Sequence, residues 1–144
     1  MSLTSYSASA TTSADAEAAW AAWTDVDGWN VGEHIEHASI DGEFAPGAKI
    51  KSKASGLPEA VATVTRAERP RVWVDETRSP GVRMSFEHLI EPGEGGTRLT
   101  ERVQITGPLA FIVGPLMKRK LLALFVASAE TVARVAEQGQ APAA

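Results

Sequence analysis

Apolar positions along this chain follow two periods. Up to Thr106 they mostly alternate with polar ones, which marks strands with one buried face. From Gly107 to Gln138 they recur at helical spacing, through Val113, Met117, Leu121, Leu124, Ser128, Thr131 and Val135. Leu116, Leu122, Phe125 and Val132 widen that stripe, so this helix needs a large cover. Gly107-Pro108 suits a helix start, and Pro115 predicts a kink or a restart at Gly114-Pro115.

The alternating segments are Leu3 to Thr12, His37 to Phe44, Ala48 to Ala54, Ala60 to Glu68, Arg71 to Thr77, Val82 to Glu91 and Thr97 to Thr106. Short turns rich in Pro and Gly join them, as at Ala45-Pro46-Gly47, Arg69-Pro70, Ser79-Pro80-Gly81 and Pro92 to Gly96. Sequential strands with tight turns predict an antiparallel meander. A first helix is predicted over Ala14 to Thr24, with Thr12 as its N-cap and Trp20 and Trp23 on its buried face. Asp27-Gly28 reads as a turn, after which Trp29 returns to the core. Strand, helix, strands, long helix is an α+β order with the helices on one face of the sheet.

With 144 residues the chain suits one domain, taken as 1–138 with 139–144 as a flexible tail. A net charge of −4 argues against general affinity for nucleic acid, and Lys118-Arg119-Lys120 reads as a solvated helix face. The chain has no cysteine, which excludes disulfides and thiolate chemistry. Met1 to Ala10 lacks an apolar signal core, so a cytoplasmic location is expected. Leu121 to Ala127 is too short to span a bilayer, and no stable membrane insertion is expected. His34 and His37 stand beside Glu33 and Glu36, but their spacing matches no zinc pattern; no metal or cofactor is expected.

Period two also assigns strand faces. Val82, Met84, Phe86, His88 and Ile90 share one face; Leu99, Glu101, Val103 and Ile105 share another. Each apolar face has one polar exception. A loop centred near Glu94-Gly95 sets Ile90 against Leu99, Phe86 against Val103, and His88 against Glu101. A turn centred at Ser79-Pro80 sets Trp73 against Phe86 and Asp75 against Met84, with both facing inward. The interior lining expected from this parity is Trp73, Asp75, Met84, Phe86, Val103, Phe111, Met117 and Leu121, with His88 and Glu101 as its acid–base pair. A satisfied buried polar pair without chemistry fits the same pattern.

The stretch Ser13 to Trp20, then Asp25 to Trp29, Gly42, Pro46-Gly47, and Gly95 to Glu101 leading to Gly107-Pro108-Leu109, resembles the START-like or Bet v 1-like superfamily. Within it the chain is most similar to the bacterial polyketide cyclase/dehydrase group. The resemblance covers nearly the whole chain, without its tail. It implies a helix-grip fold: a seven-stranded antiparallel sheet wraps the long C-terminal helix, and two short helices lie between strands 1 and 2. It also implies an apolar, ring-containing ligand between sheet and helix, in a monomer or homodimer. The alternatives are a cyclase or dehydratase using His88 and Glu101, and a protein-interaction module or co-activator. Fold alone does not choose among them.

Overall fold

The structure, a computed structural model, describes residues 3–31 and 34–140. Seven strands appear: β1 (Leu3–Thr12), β2 (Ile35–Asp41), β3 (Lys49–Ala54), β4 (Ala60–Glu68), β5 (Val72–Ser79), β6 (Val82–Gly93) and β7 (Gly96–Thr106). Helix α1 (Ala16–Thr24) and a 3₁₀ helix (Val26–Val31) lie between β1 and β2, and α2 (Ala110–Gln140) ends the described chain. The strands form one antiparallel sheet in the order β1-β7-β6-β5-β4-β3-β2. Only the β1–β7 pairing is non-sequential, and it brings the first strand beside the last. The sheet curls around α2, giving the helix-grip architecture.

The β6–β7 pairing has the register expected from the sequence, with Phe86 opposite Val103, His88 opposite Glu101, and Ile90 opposite Leu99. The β5–β6 pairing is two residues away from expectation: Trp73 pairs with His88, Asp75 with Phe86, and Thr77 with Met84. Ser79 pairs with Val82, so the turn is Pro80-Gly81 and not Ser79-Pro80. Gly81 takes the left-handed backbone conformation that such a tight hairpin needs, at φ +79°. A slip of two keeps every side chain on its face, so the inward parity survives.

Three local expectations are corrected. Asp15, not Thr12, caps α1, its carboxylate accepting the Ala18 N–H at 2.8 Å. The Thr12 hydroxyl instead reaches α2, within 3.0 Å of both the Ala133 carbonyl and Glu137 Oε1, and ties β1 to the long helix. The turn at Asp27-Gly28 is part of the 3₁₀ helix. Finally, α2 neither breaks nor restarts at Pro115. Pro115 cannot donate to the Phe111 carbonyl, and both residues are exposed on the solvent side of the helix. The helix starts at Ala110 and continues through Gln140, past the predicted boundary of the tail; residues 141–144 lie outside the described residues.

Delivery of α2 onto the sheet depends on a close crossing. At Gly107, with φ +112°, an added Cβ would stand 2.5 Å from the Gly81 carbonyl oxygen. The Leu109 N–H donates to that same oxygen at 3.0 Å. The long helix therefore begins over the β5–β6 hairpin and runs beneath the sheet.

Two apolar clusters fill the interior. One joins Trp20, Trp23 and Val26 to Ile50, Val64, Trp73, Ile90 and Leu99, with Val132 and Ala133 from the far part of α2. The other joins Val82, Val103 and Ile105 to Ala110, Leu121 and Phe125 from the near part of α2.

Candidate functional site

Between these clusters lies a cavity of about 600 Å³. Its helix wall is the periodic stripe of α2: Val113, Met117, Leu121, Leu124, Ser128, Thr131 and Val135 all line it. Its sheet wall comes from inward positions of β5, β6 and β7, where Asp75, Met84, Phe86, His88 and Glu101 reach the space. Trp23, Trp29 and His34 close it from the segment between β1 and β2, with Ile35 at the start of β2. Exposed lining residues include Asp25; Pro58 and Glu59 in the β3–β4 loop; Val61 in β4; Arg78 and Ser79 at the end of β5; and Pro80 in the turn that follows.

The sheet wall holds three buried polar side chains. His88 and Glu101 are each 5% exposed and Asp75 is 8% exposed. His88 Nε2 lies 3.2 Å from Glu101 Oε1, and His88 Nδ1 lies 3.2 Å from the Trp73 carbonyl oxygen. A carbonyl can only accept, so Nδ1 carries a hydrogen. With Glu101 ionised, Nε2 donates as well and the ring is an imidazolium. Burial opposes that charge, but the Glu101 bond, the Glu101 charge and the Asp75 charge outweigh it and hold the His88 pKa above its ordinary value.

Aromatic rings fix the imidazole in place. Trp73 stacks on it at 3.5 Å between centroids and 3° between planes. Trp23 meets it edge-on at 5.1 Å. A cation against an indole face gains electrostatically in a dry setting. Strand pairing produces this stack, because Trp73 is the cross-strand neighbour of His88.

Asp75 differs from its neighbours. Its Oδ1 is buried and has no hydrogen-bond partner. Burial pushes its carboxyl up to about 6, partly offset by the charge of His88. Such a group accepts a hydrogen bond from a ligand, or exchanges a proton near neutrality.

The structure brings Asp75, Met84, Phe86, Met117, Leu121, His88 and Glu101 to one cavity. It places three expected lining residues elsewhere. Trp73 and Val103 face inward but are fully buried in the clusters that support the wall. Phe111 is 61% exposed on the outer side of α2, and Leu116 is 77% exposed there. The stripe is thus narrower than the sequence suggests at its N-terminal end.

Trp29 and His34 are lining residues that strand parity could not reach, since neither lies in a strand. Burial holds the His34 pKa below its ordinary value, Glu101 pulls it up, and Arg134 adds to the lowering. His37 instead pairs at the surface with Glu59 at 3.2 Å, and Glu36 with Lys53 at 2.8 Å. Glu33 lies outside the described residues. Among the described residues no group of three His, Asp or Glu side chains is arranged to hold a metal ion. Among them, too, no helix is long and apolar enough to cross a membrane.

Residues 4–137 match the protein family described as polyketide cyclase / dehydrase and lipid transport. No curated protein sequence matches the chain. Solved structures of similar fold include norcoclaurine synthase from Thalictrum flavum in complex with dopamine and hydroxybenzaldehyde. Its TM-score is 0.72 at 11% identity, covering 98% of this chain and 90% of that one. The di-domain ARO/CYC StfQ from the steffimycin biosynthetic pathway gives 0.79 at 12% identity, covering 95% of this chain and 52% of that one. Ara h 8.0201 gives 0.65 at 18% identity, covering 91% of this chain and 98% of that one. At these identities the likeness is one of fold.

Proposed function

Because the chain belongs to the polyketide cyclase/dehydrase and lipid transport family, we propose that it holds a ring-containing, largely apolar small molecule between sheet and α2. One observation carries this reading: an apolar cavity of about 600 Å³ with three polar side chains gathered in one wall. That volume suits a small organic ligand, since such pockets typically span roughly 300–1,000 Å³. Met84 and Met117 give the walls adaptable surface, and Phe86 with Phe125 gives a rigid edge-to-face aromatic pair. The ligand's polar group belongs at Asp75, whose unpartnered oxygen accepts a hydroxyl or amine hydrogen.

Saturable binding of a hydrophobic dye tests the reading. Phe86→Arg puts a charge into the cavity and should abolish dye binding while the circular dichroism spectrum stays native. Unchanged dye affinity in that folded variant would sink the proposal. Native mass spectrometry of protein purified from its own host would then identify a retained ligand by mass.

A second reading, acid–base catalysis of cyclisation or dehydration, is favoured by the state of Asp75. His88 has both ring nitrogens engaged, by Trp73 and Glu101. In this reading Asp75 is the group with a free atom to move a proton, and the His88–Glu101 pair sets the charge beside it. Loss of one water from a cyclic β-hydroxyketone, followed by mass spectrometry, should then depend on a group titrating near 6 and stop in Asp75→Asn. Equal rates in both proteins would leave the binding reading alone.

A further inference from the structure

The first turns of α2 present two faces. Val113, Met117 and Leu121 line the cavity, while Phe111, Ile112 and Leu116 point outward and are 61%, 51% and 77% exposed. Leu109, on the approach to the helix, is exposed as well. Apolar side chains grouped this way on a surface mark a site of association.

Charge selects the partner. Between Ala110 and Ala129 the helix contains Lys118, Arg119 and Lys120 and no acidic residue, in a chain whose net charge is −4. All three cations are exposed. Lys118 and Lys120 sit on opposite flanks of the helix. Lys118 Nζ lies 5.7 Å from the centroid of the Tyr6 ring in β1, and Lys120 Nζ donates to the Gly56 carbonyl of the β3–β4 loop at 3.1 Å. An outward apolar strip flanked by cations matches a surface that is apolar beneath and anionic above, as an acidic lipid leaflet is. A second copy of this chain would set the same cations against each other across a twofold axis.

The position of the patch gives it a use. Exposed residues of the β3–β4 loop and of the β5–β6 hairpin line the cavity. The first is held to α2 through Lys120 and Gly56, and the second underlies Leu109, where a Cβ at Gly81 would stand 2.6 Å from Leu109 Cδ1. We infer that the outer face of the N-terminal part of α2 docks reversibly on anionic lipid surfaces, with two of the loops that line the cavity beside the contact. The docking does not depend on what the cavity holds.

Flotation with vesicles is the test. The full chain should float with vesicles of phosphatidylcholine containing phosphatidylglycerol, and should stay in solution with phosphatidylcholine alone. Added salt should release it, because the attraction decays over a Debye length. Each cation contributes about fivefold in affinity near such a surface, so Lys118→Gln with Arg119→Gln should weaken binding roughly 25-fold. Phe111→Ser with Leu116→Ser should abolish flotation while the melting temperature and dye binding stay unchanged. These side chains are exposed, so the fold does not rely on them. Equal flotation of wild type and the Phe111/Leu116 variant would overturn the inference. So would a wild-type protein that ignores anionic vesicles but sediments as a dimer dissociated by the same two substitutions.

Discussion

The two ends of the interior are built from different side chains. At one end Trp20, Trp23, Trp29, Phe44 and Trp73 pack on one another with edge-on and stacked contacts, and Trp23 and Trp73 also pack on the His88 ring. At the other, Val82, Met84, Ile105, Val113, Met117 and Leu121 give aliphatic and thioether surface with Phe86 and Phe125. Rings are rigid and set one geometry, so the first end can hold a buried ion pair in a fixed place. Methionine side chains are unbranched and repack readily, so Met84 and Met117 let the second end accept ligands of more than one shape. The cavity lies between the two, with one firm wall and one adaptable wall.

Truncation on the firm side should have the largest effect. Trp73→Ala removes a fully buried ring that stacks on His88 and contacts Trp23, Trp29 and Phe44. It should cost about 3–5 kcal/mol in chemical denaturation. A much smaller loss would mean that this end is not rigid. Met117→Ala on the adaptable side is half-buried and should cost less, while changing ligand selectivity more.

Breaking the buried pair is next. Glu101→Ala leaves His88 uncompensated and should destabilise the fold by about 3–5 kcal/mol. His88→Gln keeps a hydrogen-bond donor at that place and should be milder. If His88→Gln melts like wild type and abolishes turnover, the pair serves chemistry; if its melting temperature falls sharply, the pair serves the fold.

Then comes pH. Asp75 has its carboxyl raised from 3.8 to about 6, so the folded state binds this proton more tightly than the unfolded state does. Its contribution to stability is fully present below 3.8 and is lost as pH rises through about 6. His88 is also raised, so its contribution is present below its unfolded value of 6.5 and is lost as pH rises through its folded value. Exposed carboxylates such as Glu137, lowered by its bonds to Ser13 and Thr12, act the other way under stronger acid. Melting temperature should therefore fall on going from mildly acidic to alkaline buffer. Asp75→Asn should flatten the part of that fall below about 6. An unchanged slope would show that Asp75 is solvated. The smallest effect is expected on the outer face of α2: Phe111→Ser should change stability by less than about 0.5 kcal/mol.

Much of this architecture was legible in the residues themselves. Strand faces follow from alternation, because successive side chains point to opposite sides of a sheet. The facing of His88 and Glu101 needed only that alternation and a short glycine-rich loop. The stripe from Val113 to Val135 is the cavity's helix wall because its spacing repeats with the helical turn. Other features came from contacts between segments distant in sequence. The position of the β5–β6 turn shifted by one residue because Gly81, not Pro80 alone, supplies the hairpin conformation and lies beneath Leu109. Thr12 left its predicted capping role because α2 brings the Ala133 carbonyl and Glu137 within reach. Phe111 and Leu116 look like core residues in any local window, yet the curled sheet does not extend over that side of α2. The environments of Asp75 and His34 were decided last of all. A carboxyl's pKa depends on the charges and solvent around it, and for Asp75 these come from β6 and β7. Period and spacing determine which way a side chain points within its own element, and only the packed tertiary structure determines what it meets there.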